Sequence, residues 1–288
     1  MHRFLLHNGE IRDTSENLVS PGQVGLLNGW GVFSTLRVKE GVLFAWERHY
    51  ARMKKDAELM HIPFPADAEA MRLELLRLVE ANGSPDATLR VAVIRNRGGM
   101  FEGPAISRDY DMVAFTKGLT DWKGGVRLMT KAQARHGDSP FSGAKILSWS
   151  MNLTMLEEAQ SKGFDEMLLL DHRGMVSECT SANIFIVEGS RVLTPPLTAG
   201  CLPGVTRALL LEEVRADGVR VEEEEIAPER LLAADDVFLT SSTRDLLGVG
   251  CVDGRTLTPQ PQTREKLLGA FQSYLDDYVA QRRAAAAL

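Results

Sequence analysis

The length, composition and charge of the chain set the first limits on its class. Its 288 residues are 44% hydrophobic and 25% charged, which is typical of a soluble globular protein with one large domain or two of ordinary size. The net charge of −6 argues against a nucleic-acid partner or an anionic membrane. No apolar run has the length of a membrane span, and the opening MHRFLLHNGEI is too short and polar for a signal peptide.

The cysteines and histidines indicate neither a disulfide framework nor a metal site. Cys179, Cys201 and Cys251 are few and scattered, so we interpret each as a buried small hydrophobe in a reduced, cytoplasmic protein. The six histidines show no HExxH or related ligand spacing, and no metal is predicted.

The first part of the chain mixes strand and helix patterns. RFLLHNGEI is strand-like, and GVFSTLRV and VLFAW predict a hairpin around the turn KEG. Helical periodicity follows in ERHYARMKKDAELMHI and in ADAEAMRLELLRLVEANG, which ends at Asn82-Gly83. TLRVAVIRN and DMVAFTKG are further predicted strands. Because LTDWKGG breaks the pattern, we expect a small N-terminal α/β domain over residues 1–119 and a larger C-terminal domain over residues 120–288.

The second part opens with a predicted strand, VRLMTKA, and a polar segment, RHGDSPFSGAK. NLTMLEEAQSKG has a helical pattern that ends at Gly163, and EMLLLD, MVSE, NIFIV and RVLTP are predicted strands. LPGVTRALLLEEVRADG predicts a helix between Pro203 and Gly218, and DDVFLTSST a strand. TREKLLGAFQSYLDDYVAQRR predicts an amphipathic terminal helix, so the overall class is α+β in two parts.

Two segments have the form of anion sites. In CLPGVTRALL a turn at Gly204 leads into a helix, and the N–H groups of Val205 and Thr206 at its start would attract a phosphate. In VFLTSST the strand ends in the four hydroxyls of residues 240–243, which could surround a phosphate. An ordinary helix cap and a polar loop are the competing interpretations.

Two charged side chains, Lys145 and Glu178, add to the two candidate anion sites. Lys145 has apolar neighbours in FSGAKILSW and could act as a Schiff-base amine, although most such lysines reach the surface. Glu178 lies beside the apolar strand NIFIV, where a carboxylate without a partner is costly. Pyridoxal 5′-phosphate (PLP) needs a lysine for its aldehyde, anion sites for its phosphate and a carboxylate for its pyridine nitrogen. The set therefore predicts PLP as the cofactor.

The order of these motifs resembles the class IV aminotransferases. This PLP fold-type IV group includes branched-chain aminotransferases, D-amino-acid aminotransferases and aminodeoxychorismate lyase. The similarity runs from NGWGVFSTLRV to TSST, and its most specific segment is GFDEMLLLDHRGMVSECTSANIFIV. The resemblance implies a two-domain α+β fold like that of D-amino-acid aminotransferase, with a mixed, barrel-like sheet in the C-terminal domain.

The resemblance also implies roles for individual residues and a homodimer. Lys145 matches the Schiff-base lysine, and Glu178 matches the acid that binds the pyridine nitrogen, so both are expected to be catalytic. The implied cofactor-binding residues are Arg52, Lys145, Glu178, Ser181, Ala182, Asn183, Leu202, Gly204, Val205, Thr206, Ser241 and Ser242. The implied substrate residues are Phe33, Arg37, Arg90 and Thr243.

Departures from the family pattern concern the substrate. Branched-chain enzymes carry VFEG-x-R where this chain has Ser34-Thr35, a pair that resembles the lyase, whereas LPGVTR resembles the branched-chain group. The tyrosine that the family places five residues after the lysine is Ser150 here. We expect a branched-chain-type aminotransferase that moves an amino group between an amino acid or amine and a 2-keto acid. The alternative is a 4-amino-4-deoxychorismate lyase that releases pyruvate and 4-aminobenzoate. A non-catalytic ligand-binding protein would not require both Lys145 and Glu178.

Overall fold

Contacts between residues divide the chain into two compact units. A computed structural model describes residues 1–100, 102–104, 106–122 and 124–286. The first unit contains Met1–Thr120, Lys145–Trp149 and the residues from Asp277 onward, and the second contains Asp121–Ala144 and Ser150–Asp276. The predicted domains are continuous segments that meet at residues 119 and 120, whereas the first unit also includes two segments from later in the chain. The domain boundary itself stays a prediction.

The first unit is built on a six-stranded antiparallel sheet with the order β2-β1-β6-β5-β3-β4. Its strands are β1 (Phe4–His7), β2 (Glu10–Asp13), β3 (Gly31–Lys39), β4 (Val42–Leu43), β5 (Ala87–Arg95) and β6 (Tyr110–Lys117). Its helices are α1 (Val24–Asn28), α2 (Trp46–Leu59) and α3 (Ala68–Ala81). The predicted hairpin corresponds to β3 and β4, which pair in antiparallel register.

Local sequence signals explain the helix ends in this unit. The Asp67 carboxylate accepts hydrogen bonds from the N–H groups of Glu69 and Ala70 and so caps the start of α3. Helix α3 ends before Asn82, and Gly83 follows with a φ of +55°, as the sequence predicts. Apolar side chains of α2 and α3 pack with those of the sheet in one core, which includes Met53, Leu75 and Leu89.

The second unit is built on a mixed nine-stranded sheet. Its path is β12-β11-β10-β13-β14-β7-β8-β9, with β15 paired to β14, and it curls into a half-barrel. The strands are β7 (Val126–Arg135), β8 (Glu166–Asp171), β9 (Val176–Cys179), β10 (Asn183–Glu188), β11 (Arg191–Thr194), β12 (Arg220–Glu223), β13 (Asp236–Ser241), β14 (Asp245–Val252) and β15 (Arg255–Thr256). Strand β7 runs parallel to both β8 and β14, which makes the sheet mixed as predicted.

The core of this sheet explains why β10 reads as a continuous apolar run. Ile184, Phe185 and Ile186 on β10 are fully buried, and the Phe185 ring stacks on Phe238 of β13 with centroids 5.0 Å apart. A strand covered on both faces has no need for polar alternation. The α+β class, with a small N-terminal α/β unit and a mixed C-terminal sheet, is confirmed.

Three helices of the second unit were predicted, one of them too long, and a fourth, short helix was not predicted. They are α4 (Ser150–Ser161), α5 (Val205–Glu212), α6 (Pro228–Ala233) and α7 (Gln262–Ala286), of which the residues up to Asp276 belong to this unit, with a 3₁₀ turn at Leu197–Ala199. Helix α5 ends at Glu212 and does not reach Gly218, because Val214 turns inward and its N–H bonds to Leu209 O. In the described part of the chain no helix is long and apolar enough to cross a membrane.

Candidate active site

In the first unit, the backbone of Lys145 is anchored on both sides. Its carbonyl accepts a hydrogen bond from the N–H of Phe33 at 3.1 Å, and its own N–H donates to Asp56 Oδ2 at 3.0 Å. Two residues further on, the N–H of Leu147 donates to Gly31 O at 2.8 Å. The segment after Lys145 therefore runs along β3 like a short extra strand, and Ile146 makes an antiparallel bridge to Val32.

Two cationic groups lie over the ring of Phe33. Lys145 Nζ lies 4.5 Å from its centroid and the Arg90 guanidinium lies 4.8 Å from it. Arg90 Nε also donates to Thr35 Oγ1 at 3.2 Å, and burial lowers the pKa of Arg90. The Trp149 ring meets Phe33 edge-on with centroids 6.2 Å apart. The ring thus places an amine and a guanidinium in one part of the first unit.

Arg52 belongs to a buried polar group on α2 and β3. Its Nη2 donates to Ser34 Oγ at 2.9 Å, and Ser34 Oγ lies 2.8 Å from His49 Nδ1. Burial lowers the pKa of Arg52 to about 10, against the opposing charge of Asp56. The pKa of His49 is also well below its ordinary value, first because of burial and then because of the charges of Arg52 and Lys145. A neutral His49 and a cationic Arg52 follow from these surroundings.

In the second unit, Glu178 on β9 has two partners. Arg135 Nε donates to Glu178 Oε1 at 2.8 Å, and the N–H of Leu202 donates to Glu178 Oε2 at 3.0 Å. Arg135 reaches this position because β7 has an irregular register between Lys131 and Arg135. An ionised carboxylate has about four acceptor positions, so these two bonds leave capacity for a further donor.

A polar network extends from this pair through the β9–β10 turn. Arg135 Nη2 donates to Asn152 Oδ1 at 3.3 Å, and Asn152 Nδ2 donates to Thr180 O at 2.8 Å. The Thr180 and Ser181 hydroxyls both donate to the buried carboxylate of Glu166 on β8. Hydrogen bonds to Glu166 and Asn152 therefore hold residues 180 and 181 in place.

Arg244 closes this network at its far end. Its Nη1 donates to Ser181 Oγ at 2.9 Å and lies 3.2 Å from Glu166 Oε2. The guanidinium also lies over the Trp122 ring, 4.4 Å from the centroid. Since Ser181 Oγ donates to Glu166 and accepts from Arg244, both of its hydrogen-bonding functions are in use. Ser181 would then meet a ligand through its backbone N–H.

The start of α5 has the features of an anion site. Gly204 precedes the helix, no side chain caps its first turn, and Val205 and Thr206 are buried there. A Cβ on Gly204 would lie 2.0 Å from Asn183 Oδ1, so a larger residue here would displace the Asn183 side chain. Asn183 Nδ2 in turn donates to Leu202 O at 2.9 Å and holds the approach to the helix.

The end of strand β13 supplies hydroxyls in the same unit. Ser241, Ser242 and Thr243 are half-buried after the fully buried strand interior. The Oγ1 atom of the preceding Thr240 is buried and has no hydrogen-bond partner among the described residues. A bound ligand could supply the hydrogen-bond partner that this buried hydroxyl requires.

Comparison with known proteins identifies the family. Residues 31–251 match Amino-transferase class IV, a stretch that includes Lys145, Glu178 and the start of α5. The chain belongs to the class IV aminotransferases. A Methanocaldococcus jannaschii protein assigned as a branched-chain-amino-acid aminotransferase is 30% identical over 253 residues, covering 87% of this chain and 88% of that protein. The D-alanine aminotransferase of Bacillus licheniformis is 28% identical, covering 95% of this chain and 98% of that protein.

The fold of the class IV aminotransferases is also found by structural comparison. The Escherichia coli branched-chain amino acid aminotransferase superimposes with a TM-score of 0.86 at 23% identity, covering 96% of this chain and 95% of that one. The fold-type IV architecture implied by the sequence is therefore confirmed. As a class IV aminotransferase, the protein is a PLP-dependent transaminase.

The described side chains fit PLP. The first turn of α5, which Gly204 leaves without a side-chain cap, and the Thr240 hydroxyl, which has no hydrogen-bond partner in the described part of the chain, can donate to phosphate oxygens. Glu178 has spare acceptor capacity for a protonated pyridine nitrogen. The Lys145 side chain, which lies over the Phe33 ring, supplies the primary amine that a Schiff base with the cofactor aldehyde requires.

Sequence reasoning missed several members of these groups. Asp56, Arg135 and Arg244 make direct contacts with predicted site residues, and none of them was a candidate. Each lies far along the chain from its partner, so no local pattern marked it. Glu166 was within the recognised segment GFDE but had no role assigned.

Proposed function

We propose that this transaminase exchanges an amino group between branched-chain amino acids and 2-keto acids, with Lys145 as its catalytic amine. The observation that carries the proposal is the Phe33 ring, which presents Lys145 Nζ and the Arg90 guanidinium at 4.5 Å and 4.8 Å from its centroid. An amine and a guanidinium together suit an amino acid, which offers one reacting nitrogen and a carboxylate. The M. jannaschii relative and the segment LPGVTR support the branched-chain assignment.

Lys145 and Glu178 carry the chemistry in this proposal. Bound PLP supplies the aldehyde that takes up the amino group and the ring that accepts electrons. Lys145 Nζ would hold the cofactor aldehyde and would serve as the base that takes the proton from the substrate α-carbon. Glu178 would hold a proton on the pyridine nitrogen, and Arg135 orients the carboxylate through its charge-assisted hydrogen bond.

The remaining predicted residues would hold the cofactor and the substrate. Arg52 would bind the phosphate as a buried cation oriented by Ser34. Arg37 or Arg90 would bind the substrate carboxylate, with Phe33 and Thr243 beside it. The other proposed cofactor contacts are Ser181, Ala182, Asn183, Leu202, Gly204, Val205, Thr206, Ser241 and Ser242.

A single-turnover donor panel tests this function. The PLP-loaded protein is mixed with one amino donor and no acceptor, and pyridoxamine phosphate is measured by chromatography. We expect L-leucine, L-isoleucine and L-valine to react with a second-order rate constant about 10-fold or more above that of D-alanine or an aryl amine. A Lys145→Ala variant serves as the inactive control. Failure of every donor to give pyridoxamine phosphate would contradict the proposal.

The same panel includes 4-amino-4-deoxychorismate, the substrate of the alternative lyase reaction. Pyruvate and 4-aminobenzoate formed without a keto-acid acceptor would identify the lyase. The pair Ser34-Thr35 is the feature that supports the lyase alternative. In the structure, however, the Ser34 hydroxyl is hydrogen-bonded to Arg52 and His49.

We further propose a cytoplasmic homodimer. Three cysteines that are buried and free suit a reducing compartment. Exposed apolar side chains on α1 and α4, among them Leu27 and Met151, suit an interface with a second copy. Light scattering coupled to size exclusion would give twice the 31.8 kDa chain mass for a dimer. A monomer that retains full activity would contradict this assembly.

A further inference from the structure

Asp56 is a buried acid to which the reaction described above gives no role. Its side of helix α2 faces the core, and only 5% of the residue is exposed. Its Oδ2 accepts the hydrogen bond from the Lys145 N–H at 3.0 Å. Backbone bonds to β3 and the Ser148 hydroxyl also fix this segment, and Asp56 provides the side-chain anchor of the Lys145 peptide itself, which a substitution can remove.

The surroundings of Asp56 connect it to a second site residue. It follows Arg52 by four positions, a spacing that places both side chains on one face of α2. Burial raises the pKa of Asp56, and the Lys145 N–H bond and the charges of Arg52, Lys55 and Lys145 oppose that rise. A buried carboxylate needs such partners to offset its lost hydration. Asp56 therefore contacts the backbone of Lys145 and lies beside Arg52, the arginine proposed to bind the phosphate.

We propose that Asp56 is a positioning residue that holds the Lys145 peptide against α2. The inference rests on the proposed roles of Lys145 and Arg52. By fixing the peptide relative to the helix that carries Arg52, Asp56 sets where the amine stands with respect to a phosphate bound at Arg52. A misplacement of the reacting amine by about 1 Å is enough to reduce its rate on the order of 100-fold.

Three variants separate the hydrogen bond from the charge and from the side-chain length. Asp56→Asn keeps an acceptor oxygen at the same distance, Asp56→Ala removes it, and Asp56→Glu keeps the charge but moves the oxygen by one methylene. Glu58→Gln, an exposed acid on the same helix, is the matched control. Asp56→Glu also supplies a removal variant if Asp56→Ala does not fold.

The readout is the attachment of PLP to the apoprotein, which requires no substrate turnover. The rate constant is followed by the visible absorbance of bound PLP, and amide hydrogen exchange of the Lys145 peptide is measured in parallel. We expect attachment to slow about 10- to 100-fold in Asp56→Ala and Asp56→Glu, with faster exchange, and to stay within about threefold of wild type in Asp56→Asn. The proposal would be overturned if Asp56→Ala and Asp56→Glu bound PLP at the wild-type rate. It would also be overturned if all three variants lost the same fraction of that rate.

Borohydride reduction and peptide mapping of the wild-type protein keep this test independent of the proposed function. PLP trapped on another lysine would refute the role of Lys145 itself. PLP trapped on Lys145, with wild-type attachment in Asp56→Ala, would refute the role of Asp56 alone.

Discussion

Arg135 Nε donates a hydrogen bond to Glu178 Oε1 at 2.8 Å, and both side chains are largely buried, with 17% and 10% exposure. The acid that sequence comparison assigns to the pyridine nitrogen is therefore already paired with a cation from strand β7. The pair explains how a carboxylate is tolerated beside the apolar strand β10. It also leaves acceptor capacity on Glu178 for a further donor, which the proposed role requires.

Glu178→Gln should separate cofactor binding from turnover. The amide keeps the shape of the side chain and can still accept the Leu202 N–H bond, but it cannot hold a proton on the pyridine nitrogen. We expect PLP to remain bound while the single-turnover rate falls about 100-fold or more. Glu157→Gln, an exposed change on α4, is the control. An unchanged rate would mean that Glu178 serves only the Arg135 pair.

Arg135→Met should affect both stability and turnover. It removes the cation and leaves the Glu178 carboxylate with the Leu202 N–H as its one described partner. Loss of a partner from a buried polar group costs about 1 to 3 kcal/mol, which urea unfolding of the apoprotein would measure. Arg135→Lys, which restores the charge, should recover part of the turnover. If the methionine variant matches wild type in both measurements, the pair has no function.

The sequence predicted many regular elements, though not α1, α6, β12, β14 or β15, and it predicted chemically distinctive residues but not the contacts between distant ones. Helix α3 was predictable because Asp67 and Gly83 are local signals, and Lys145 and Glu178 were recognisable from their motifs. Arg135 was not, because an irregular register in β7 decides where its side chain points. Asp56 lies 89 positions from Lys145, so only the folded sheet brings them together. Helix α5 was predicted too long, because burial of Val214 outweighs the helical pattern after Glu212.

Arg244→Met should weaken PLP binding through the β9–β10 turn. The substitution removes the guanidinium from Ser181 Oγ and from the buried Glu166 carboxylate. We expect the PLP dissociation constant to rise about 10-fold, which corresponds to ~1.4 kcal/mol. Titration of the apoprotein with PLP measures this, and Arg220→Met, an exposed change on β12, is the control. Equal affinities for Arg244→Met and the control would exclude the proposed support of the turn.

His49 should make the protein less stable in mild acid. Its pKa in the folded state is well below 6.5 because of burial and the charges of Arg52 and Lys145, so below pH 6.5 the unfolded chain binds a proton that the folded chain does not. The stability associated with neutral His49 is thus complete above pH 6.5 and decreases as the pH falls, by up to about 1.4 kcal/mol per pH unit. Urea unfolding at several pH values should show a smaller loss in His49→Gln. His172→Gln, an exposed change, should follow wild type. Parallel curves for wild type and His49→Gln would contradict this reasoning.

The central claim, that Lys145 carries the cofactor, is tested most directly by borohydride reduction of the PLP-loaded protein and peptide mass mapping. We predict a phosphopyridoxyl group on the peptide that contains Lys145, its loss in Lys145→Ala, and its retention in Lys131→Ala, where the lysine pairs with Glu158 on the protein surface. A phosphopyridoxyl group on any other lysine of the wild-type chain, or one that persists in Lys145→Ala, would contradict the claim.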